Sequence, residues 1–199
     1  LNPHVNFRVY PEKLTTKNAL ELFLKYDIVV DGTDNFSTRY LVNDACVITN
    51  KPLVYGAIFK FEGQVSVFNY KNGPTHRCLF PEPPKAGSVP NCSDVGVIGV
   101  LPGLIGTQQA NEVIKLILEI GAPLSGKLLT YDSLNNSFLT LKVTRSEEET
   151  QKVLSNSDDF ENIDYDLFCG ISMENDIKEI TQKDLKSMLD GSEDFQIVD

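Results

Sequence analysis

The stretch DIVVDGTDN (27–35) restricts the fold more than any other. Ile28, Val29 and Val30 are consecutive and apolar, so a strand made from them is covered on both faces. The run is too short for a helix and breaks at once into a polar, glycine-containing turn. FSTRYLVNDACVITN (36–50) then reads as a helix, with Asn35 or Thr33 as its cap. PLVYGAIFKFEGQVSVFNY (52–70) reads as two strands, the second alternating. Strand, helix and strand joined by short links predict an α/β fold with parallel pairing.

The flanking segments extend that pattern. VNFRVY (5–10) alternates like a strand, and TTKNALELFLKY (15–26) is a capped amphipathic helix with Leu20, Phe23 and Leu24 on one face. Residues 72–94 are rich in Pro, Gly and Ser, and a loop of that length is usually functional or mobile. GVLPGLIGTQQANEVIKLILEIG (99–121) is the strongest helix, opened by Pro102 and stopped by Gly121. Its apolar positions are Ile105, Ala110, Val113, Ile114 and Ile117. KLLTYDSLNNSFLTLKV (127–143) is a hairpin.

Charge divides the chain. Residues 1–144 hold 13 Lys and Arg against 12 Asp and Glu, whereas residues 145–199 hold 5 against 16. The expected organisation is a body over 1–144, an acidic linker over 145–175, and the opening of a second α/β module over 176–199. A net charge of −10 argues against a nucleic-acid binder. No apolar run is long enough to span a membrane, and nothing after Leu1 reads as a secretory leader, so none is expected. The four cysteines, Cys46, Cys78, Cys92 and Cys169, are widely spaced, as expected of a reduced cytoplasmic chain. A chain opening on Leu-Asn-Pro and closing on Val-Asp is expected to be part of a longer one.

The turn carries the chemistry. Asp31 and Asp34 fall at the carboxyl end of the buried strand, where open α/β sheets bind ligands. A carboxylate there can hold Mg²⁺ on a nucleotide's phosphates. Asn35 can donate to a ligand, and Arg39 follows one helical turn later. The plainer reading, with Asp34 or Asn35 merely capping the helix, weighs equally on spacing alone. Cys92 sits in the long loop, where a thiol is open to attack, whereas Cys46 reads as buried. Cys78 beside His76 is half a zinc pair, and one half-pair is not a site. Neither His4 nor His76 belongs to a hydrolase triad.

Taken together, DGTDNFSTRYLVNDAC, PLVYGAIFKFEGQVSVF, RCLFPEPP, NCSDVGVIGVLPGLIGTQQANEVIK and GKLLTYDS resemble the carboxyl half of a MoeB/ThiF-type enzyme, in the superfamily of ubiquitin-activating enzymes. IKEITQKDLKSMLDGSEDFQIVD (177–199) resembles the start of a rhodanese domain, as in MoeB-rhodanese fusions. The resemblance implies half of a Rossmann-like sheet followed by an antiparallel extension. It implies MgATP-dependent adenylation of the C-terminal glycine of a β-grasp sulfur carrier similar to MoaD or ThiS, in molybdopterin or thiamine synthesis or tRNA thiolation. It implies a homodimer, with the helix over 103–120 as part of its face. Asp34 matches the family's Mg/ATP aspartate, Asn35 a nucleotide-contacting position and Arg39 a supporting arginine. Cys92 matches the family's crossover-loop cysteine, which in some members bonds covalently to the carrier.

Three departures qualify the match. The glycine-rich phosphate loop and its basic partners would precede Leu1, so these 199 residues alone are expected not to adenylate. The family's zinc-binding CxxC pairs are not present: Thr75-His76-Arg77-Cys78 stands for the first, and zinc is not expected. The rhodanese segment ends before an active-site cysteine. Two rival readings follow: an activator of a ubiquitin-like modifier working through a Cys92 thioester, and a non-catalytic scaffold for a β-grasp protein. A nicotinamide-dependent oxidoreductase finds no support after residue 35.

Overall fold

The computed structural model describes residues 2–85, 96–171, 186 and 191. The strand from the apolar run is β1 (Val29–Asp31), and the strands after it are β2 (Leu53–Phe59), β3 (Glu62–Phe68), β4 (Lys127–Asp132) and β5 (Ser137–Lys142). They form one sheet in chain order. Only β1 and β2 run parallel, and every later pair is antiparallel. The fold is therefore mixed α/β: one parallel pair continued by antiparallel strands, against the expected half of a Rossmann-like sheet with an antiparallel extension.

Helices cover both faces. The helices before the long loop are α1 (Thr16–Phe23), α2 (Phe36–Ile48) and the short α3 (His76–Leu79), and α4 is Val100–Leu118. Side chains alternate across a strand. Leu53 and Tyr55 of β2 with Phe68 of β3 therefore join α1 and α2 in one core. Val54 and Val67 face the other way, onto Leu116 of α4. Asn35 caps α2 by accepting the Thr38 N–H at 2.8 Å.

The buried stripe of α4 differs from its apolar periodicity. Leu101, Ile105, Gln109, Glu112 and Leu116 are buried, while Ile114 and Ile117 are exposed. Two of those inward positions are polar because they satisfy backbone groups. Gln109 Nε2 donates to the carbonyls of Asp31 (2.6 Å) and Val54 (3.2 Å), tying α4 to both parallel strands. Gly56 gives the Gln109 side chain room, since a Cβ there would overlap it. Glu112 accepts the Leu124 N–H at 2.9 Å and pairs with Lys115. Gln109→Leu removes both bonds between α4 and the parallel strands and is expected to cost about 1–3 kcal/mol. A urea titration reads this as a lower midpoint at unchanged slope.

Two other expectations change. Residues 5–10 are not a strand, and Phe7 and Val9 are exposed. Their alternation finds no neighbouring strand among the described residues. Leu24 lies outside the buried face of α1, which consists of Ala19 and Phe23.

The acidic stretch after residue 145, expected as a linker, folds onto the body. It holds α5 (Glu147–Ser155), a 3₁₀ helix (Ser157–Asn162) and α6 (Tyr165–Phe168). Glu147, Glu148 and Glu149 sit in the first turn of α5, where the helix dipole favours them. The apolar residues between the acids turn inward: Phe160, Tyr165 and Cys169 join the core of α1 and α2. The rhodanese-like residues 176–199 lie outside the described residues apart from Lys186 and Gly191.

Candidate functional site

The TDN turn is built by three local interactions. Asp31, at the end of β1, is 2% exposed, and its Oδ1 accepts the Thr33 N–H at 2.9 Å. This is an Asx turn, in which a side chain substitutes for backbone in closing the bend. Asn35 then starts α2 as its cap. Arg39, one turn into that helix, donates from Nη2 to the Thr33 carbonyl at 3.0 Å. Thr33 is held on both sides, and Asp34 is left at the apex. Asp34 is exposed, and its carboxylate makes no hydrogen bond among the described residues. Burial pushes the Asp31 carboxyl above its ordinary range, partly offset by the Thr33 N–H. The two aspartates thus divide the work: Asp31 is structural and Asp34 is available.

Beside the turn lies a cavity of about 250 Å³ on the α2 face of the sheet. Tyr55, Ala57 and Phe59 of β2 supply one wall, and Phe36 and Tyr40 of α2 another. Asp34, Glu62 and Glu82 bring carboxylates to the lining, and Arg39 brings its cation. The guanidinium rests 5.9 Å from the Phe36 ring centroid and 5.7 Å from that of Tyr55. Its Nε is buried and has no hydrogen-bond partner. An arginine held by one fixed bond and two rings at a cavity wall is preorganised to take an oxyanion.

Sequence reasoning did not find Gln64 or His76, which line the same cavity. The alternation of β3 does place Gln64 on the face of Ala57, its register partner. His76 is buried, and its backbone N–H donates to Asn43 Oδ1 at 2.8 Å. Burial, with Arg39 and Arg77 nearby, pushes its imidazole down to about 3, so the ring is neutral at ordinary pH. The region 72–85, expected as loop, is pinned here by α3.

The remaining expectations concern cysteines and metals. Cys92 lies outside the described residues. Cys46 is fully buried, as expected, and burial pushes its thiol well up. Cys78 Sγ accepts the N–H groups of Thr75 (3.3 Å) and Ser146 (3.2 Å), so its sulfur joins α3 to the start of α5. Asp34 suits a nucleotide-borne Mg²⁺, which needs only one or two protein carboxylates besides the phosphates.

Known proteins place this geometry in a family. The family model described as the ThiF family matches residues 1–153. The chain belongs to the ThiF family. The "Sulfur carrier protein adenylyltransferase" of Thermus thermophilus is 49% identical over 183 residues, covering 86% of this chain and 65% of that protein. The "Adenylyltransferase and sulfurtransferase MOCS3" of Culex quinquefasciatus is 41% identical over 208 residues, covering all of this chain and 48% of that protein. The "Probable adenylyltransferase/sulfurtransferase MoeZ" of Mycobacterium tuberculosis is 39% identical, again over the whole chain and 51% of its own length. This ThiF chain thus spans roughly half to two thirds of these relatives. Among solved structures, E. coli MccB with MccA-N7isoASN aligns at a TM-score of 0.56 and 17% identity, covering 67% of this chain and 42% of that one. At that identity the likeness shows the fold alone. No helix among the described residues is long and apolar enough to cross a membrane.

Proposed function

We propose that this ThiF chain contributes the carboxylate-activating side of a sulfur-carrier adenylyltransferase. One observation carries the reading: an unpaired Asp34 carboxylate and the Arg39 guanidinium line one cavity beside the parallel strands. The substrates are ATP and the C-terminal glycine carboxylate of a small β-grasp carrier, similar to MoaD or ThiS.

In the reaction, a carrier carboxylate oxygen attacks the α-phosphorus of ATP, a P–O bond forms, and pyrophosphate leaves. Arg39 orients the incoming carboxylate and reduces its repulsion from the phosphates. Asp34 would hold Mg²⁺, which when bound neutralises phosphate charge. Asn35 keeps the turn in place through its cap and has a free amide for the nucleotide. The apolar walls exclude water, which would otherwise compete for the acyl-adenylate. Cys92 belongs to the later transfer of the activated carrier.

The relatives named adenylyltransferase and sulfurtransferase align over the whole chain, which supports residues 176–199 as the opening of a sulfurtransferase module. It also favours sulfur transfer over conjugation of a ubiquitin-like modifier. Two copies are proposed to pair, with exposed Ile114, Ile117 and Leu118 of α4 in the contact.

ATP–pyrophosphate exchange tests the reading, on these 199 residues and on a chain extended upstream to the length of its relatives. Exchange is expected only in the extended chain and only with a carrier ending in Gly-Gly. Arg39→Ala is expected to raise the KM for carrier roughly 10- to 100-fold, the effect of losing one charged hydrogen bond to a substrate. No exchange with any MoaD- or ThiS-like carrier would leave the scaffold reading in front.

A further inference from the structure

The Asp34 carboxylate makes no hydrogen bond among the described residues, so the frame of the turn sets where it stands. Three holds on that frame are local: the Asp31 side chain on the Thr33 N–H, the Asn35 cap, and the Arg39 guanidinium on the Thr33 carbonyl. A fourth comes from the opposite face of the sheet. Gln109 of α4 is buried, and its Nε2 donates to the carbonyl of Asp31, 78 positions away in the chain, and to that of Val54. Asp31 is where β1 ends and the turn begins. Val54 immediately precedes Tyr55, which lines the cavity. One carboxamide therefore bridges the strand that carries the turn and the strand that carries the cavity wall.

The sequence is arranged around that bridge. Asp31 pairs in register with Tyr55 and so puts its side chain on the α2 face, where it closes the turn. Gln109 approaches from the α4 face, so Asp31 is gripped from both layers. Gly56 lies against the Gln109 carboxamide, and a Cβ there would overlap it. The amide has two N–H groups, and the two carbonyls take both. Packing alone would be met by an apolar residue, as it is by Leu101, Ile105 and Leu116 on the same stripe. Glu112, the other polar member of the stripe, bonds away from the turn, to the Leu124 N–H and Lys115.

We propose that Gln109 is a positioning residue for adenylation: its bridge between Asp31 and Val54 fixes the Asp34 turn against the cavity wall at Tyr55. It touches no substrate and acts through the backbone of the two parallel strands. The inference rests on the adenylation reading and adds a link from α4 to the turn. The effect on rate is large because a reacting constellation tolerates little displacement: a shift of about 1 Å costs as much as 100-fold.

The test uses the upstream-extended chain with three substitutions, each measured well below its melting temperature. Gln109→Leu removes the bridge. Gly56→Ala displaces the same carboxamide without altering Gln109, since the atoms a Cβ would meet are the far end of a flexible side chain. Glu112→Leu removes the other polar contact of α4 and serves as the control for lost stability alone. Gln109→Leu and Gly56→Ala are each expected to lower pyrophosphate exchange roughly 10- to 100-fold at saturating ATP and carrier. Glu112→Leu should lower the melting temperature as Gln109→Leu does and leave the exchange rate within about twofold. Amide hydrogen exchange over residues 31–35, read by mass spectrometry, should accelerate roughly tenfold in the first two variants and not in the third. An unchanged pyrophosphate-exchange rate in Gln109→Leu overturns the proposal. So does an equal loss in Glu112→Leu, which marks a role in stability alone, or a turn whose amides exchange no faster. If Gln109→Leu does not fold, Gly56→Ala decides. If the unsubstituted chain shows no pyrophosphate exchange with any carrier, the adenylation reading fails, and the amide measurement still decides whether Gln109 holds the turn.

Discussion

Asp34→Ala should leave the protein folded and remove most of the pyrophosphate exchange proposed for the upstream-extended chain. The two halves of that result come from the same observation. The Asp34 carboxylate is exposed at the apex of the turn and makes no hydrogen bond or ion pair among the described residues, so its removal breaks no structural bond. The turn itself is held by the Asp31 side chain, the Asn35 cap and the Arg39 guanidinium. What is lost is a free carboxylate at the apex of the turn, the one proposed to take a nucleotide's metal ion. Removing a preorganised electrostatic group of this kind costs roughly 100- to 1,000-fold in rate. Exchange measured at saturating carrier in the extended chain should therefore drop by that factor, with the melting temperature within a degree or so of the unsubstituted protein. Asn35→Ala makes the contrast. It deletes a helix cap and should cost about 1 kcal/mol of stability. A melting temperature that falls with Asp34→Ala, or an exchange rate that does not, would remove Asp34 from the site.

The turn was legible in the sequence because everything that builds it is local. The apolar run that makes β1, the Asx turn at Asp31 and the cap at Asn35 lie within nine residues, and each follows from residue type and spacing. The cavity was not legible in the same way. Tyr55 and Gln64 meet through β2–β3 pairing, Arg39 comes from α2, and His76 arrives from a segment read as loop. No spacing rule connects those positions. In α4 the misreading has a definite cause: hydrophobic periodicity does not register Gln109 and Glu112, which point inward because backbone carbonyls and an N–H need them there. The alternation of residues 5–10 shows the opposite error, since a period of two has no meaning without an adjoining strand.

The acidic segment is the largest departure, and Asp44→Ala measures what holds it. Asp44 of α2 is 3% exposed. Arg77 of α3 donates to it twice, from Nε to Oδ1 at 2.8 Å and from Nη2 to Oδ2 at 2.7 Å. Tyr165 of α6 donates its hydroxyl to Oδ2 at 2.8 Å, and Asn43 Nδ2 donates to Oδ1 at 2.8 Å. The Arg77 guanidinium is also packed 4.8 Å from the rings of both Tyr40 and Phe168. One carboxylate therefore ties α2, α3 and α6 together, and a net acidic stretch folds because its aromatic residues reach this cluster while most of its acids stay exposed. Taking Asp44 away leaves a buried cation and a buried phenol unpaired. Breaking a buried pair from one side costs about 3–5 kcal/mol, a large part of a domain's 5–15 kcal/mol. For a chain of this size that predicts a melting temperature lower by roughly 6–20 °C. Loss should begin at the carboxyl end: amide exchange over residues 147–171 should accelerate before exchange in β2 and β3. Lys152→Ala, which removes one pair with exposed Glu148 and one with Glu149, whose side chain is 13% exposed, should cost no more than about 1 kcal/mol and lower the melting temperature far less. Equal acceleration across the sheet and the acidic segment would mean that α5 and α6 are part of one cooperative unit with the body, and that the Asp44 cluster is only one of several ties between them.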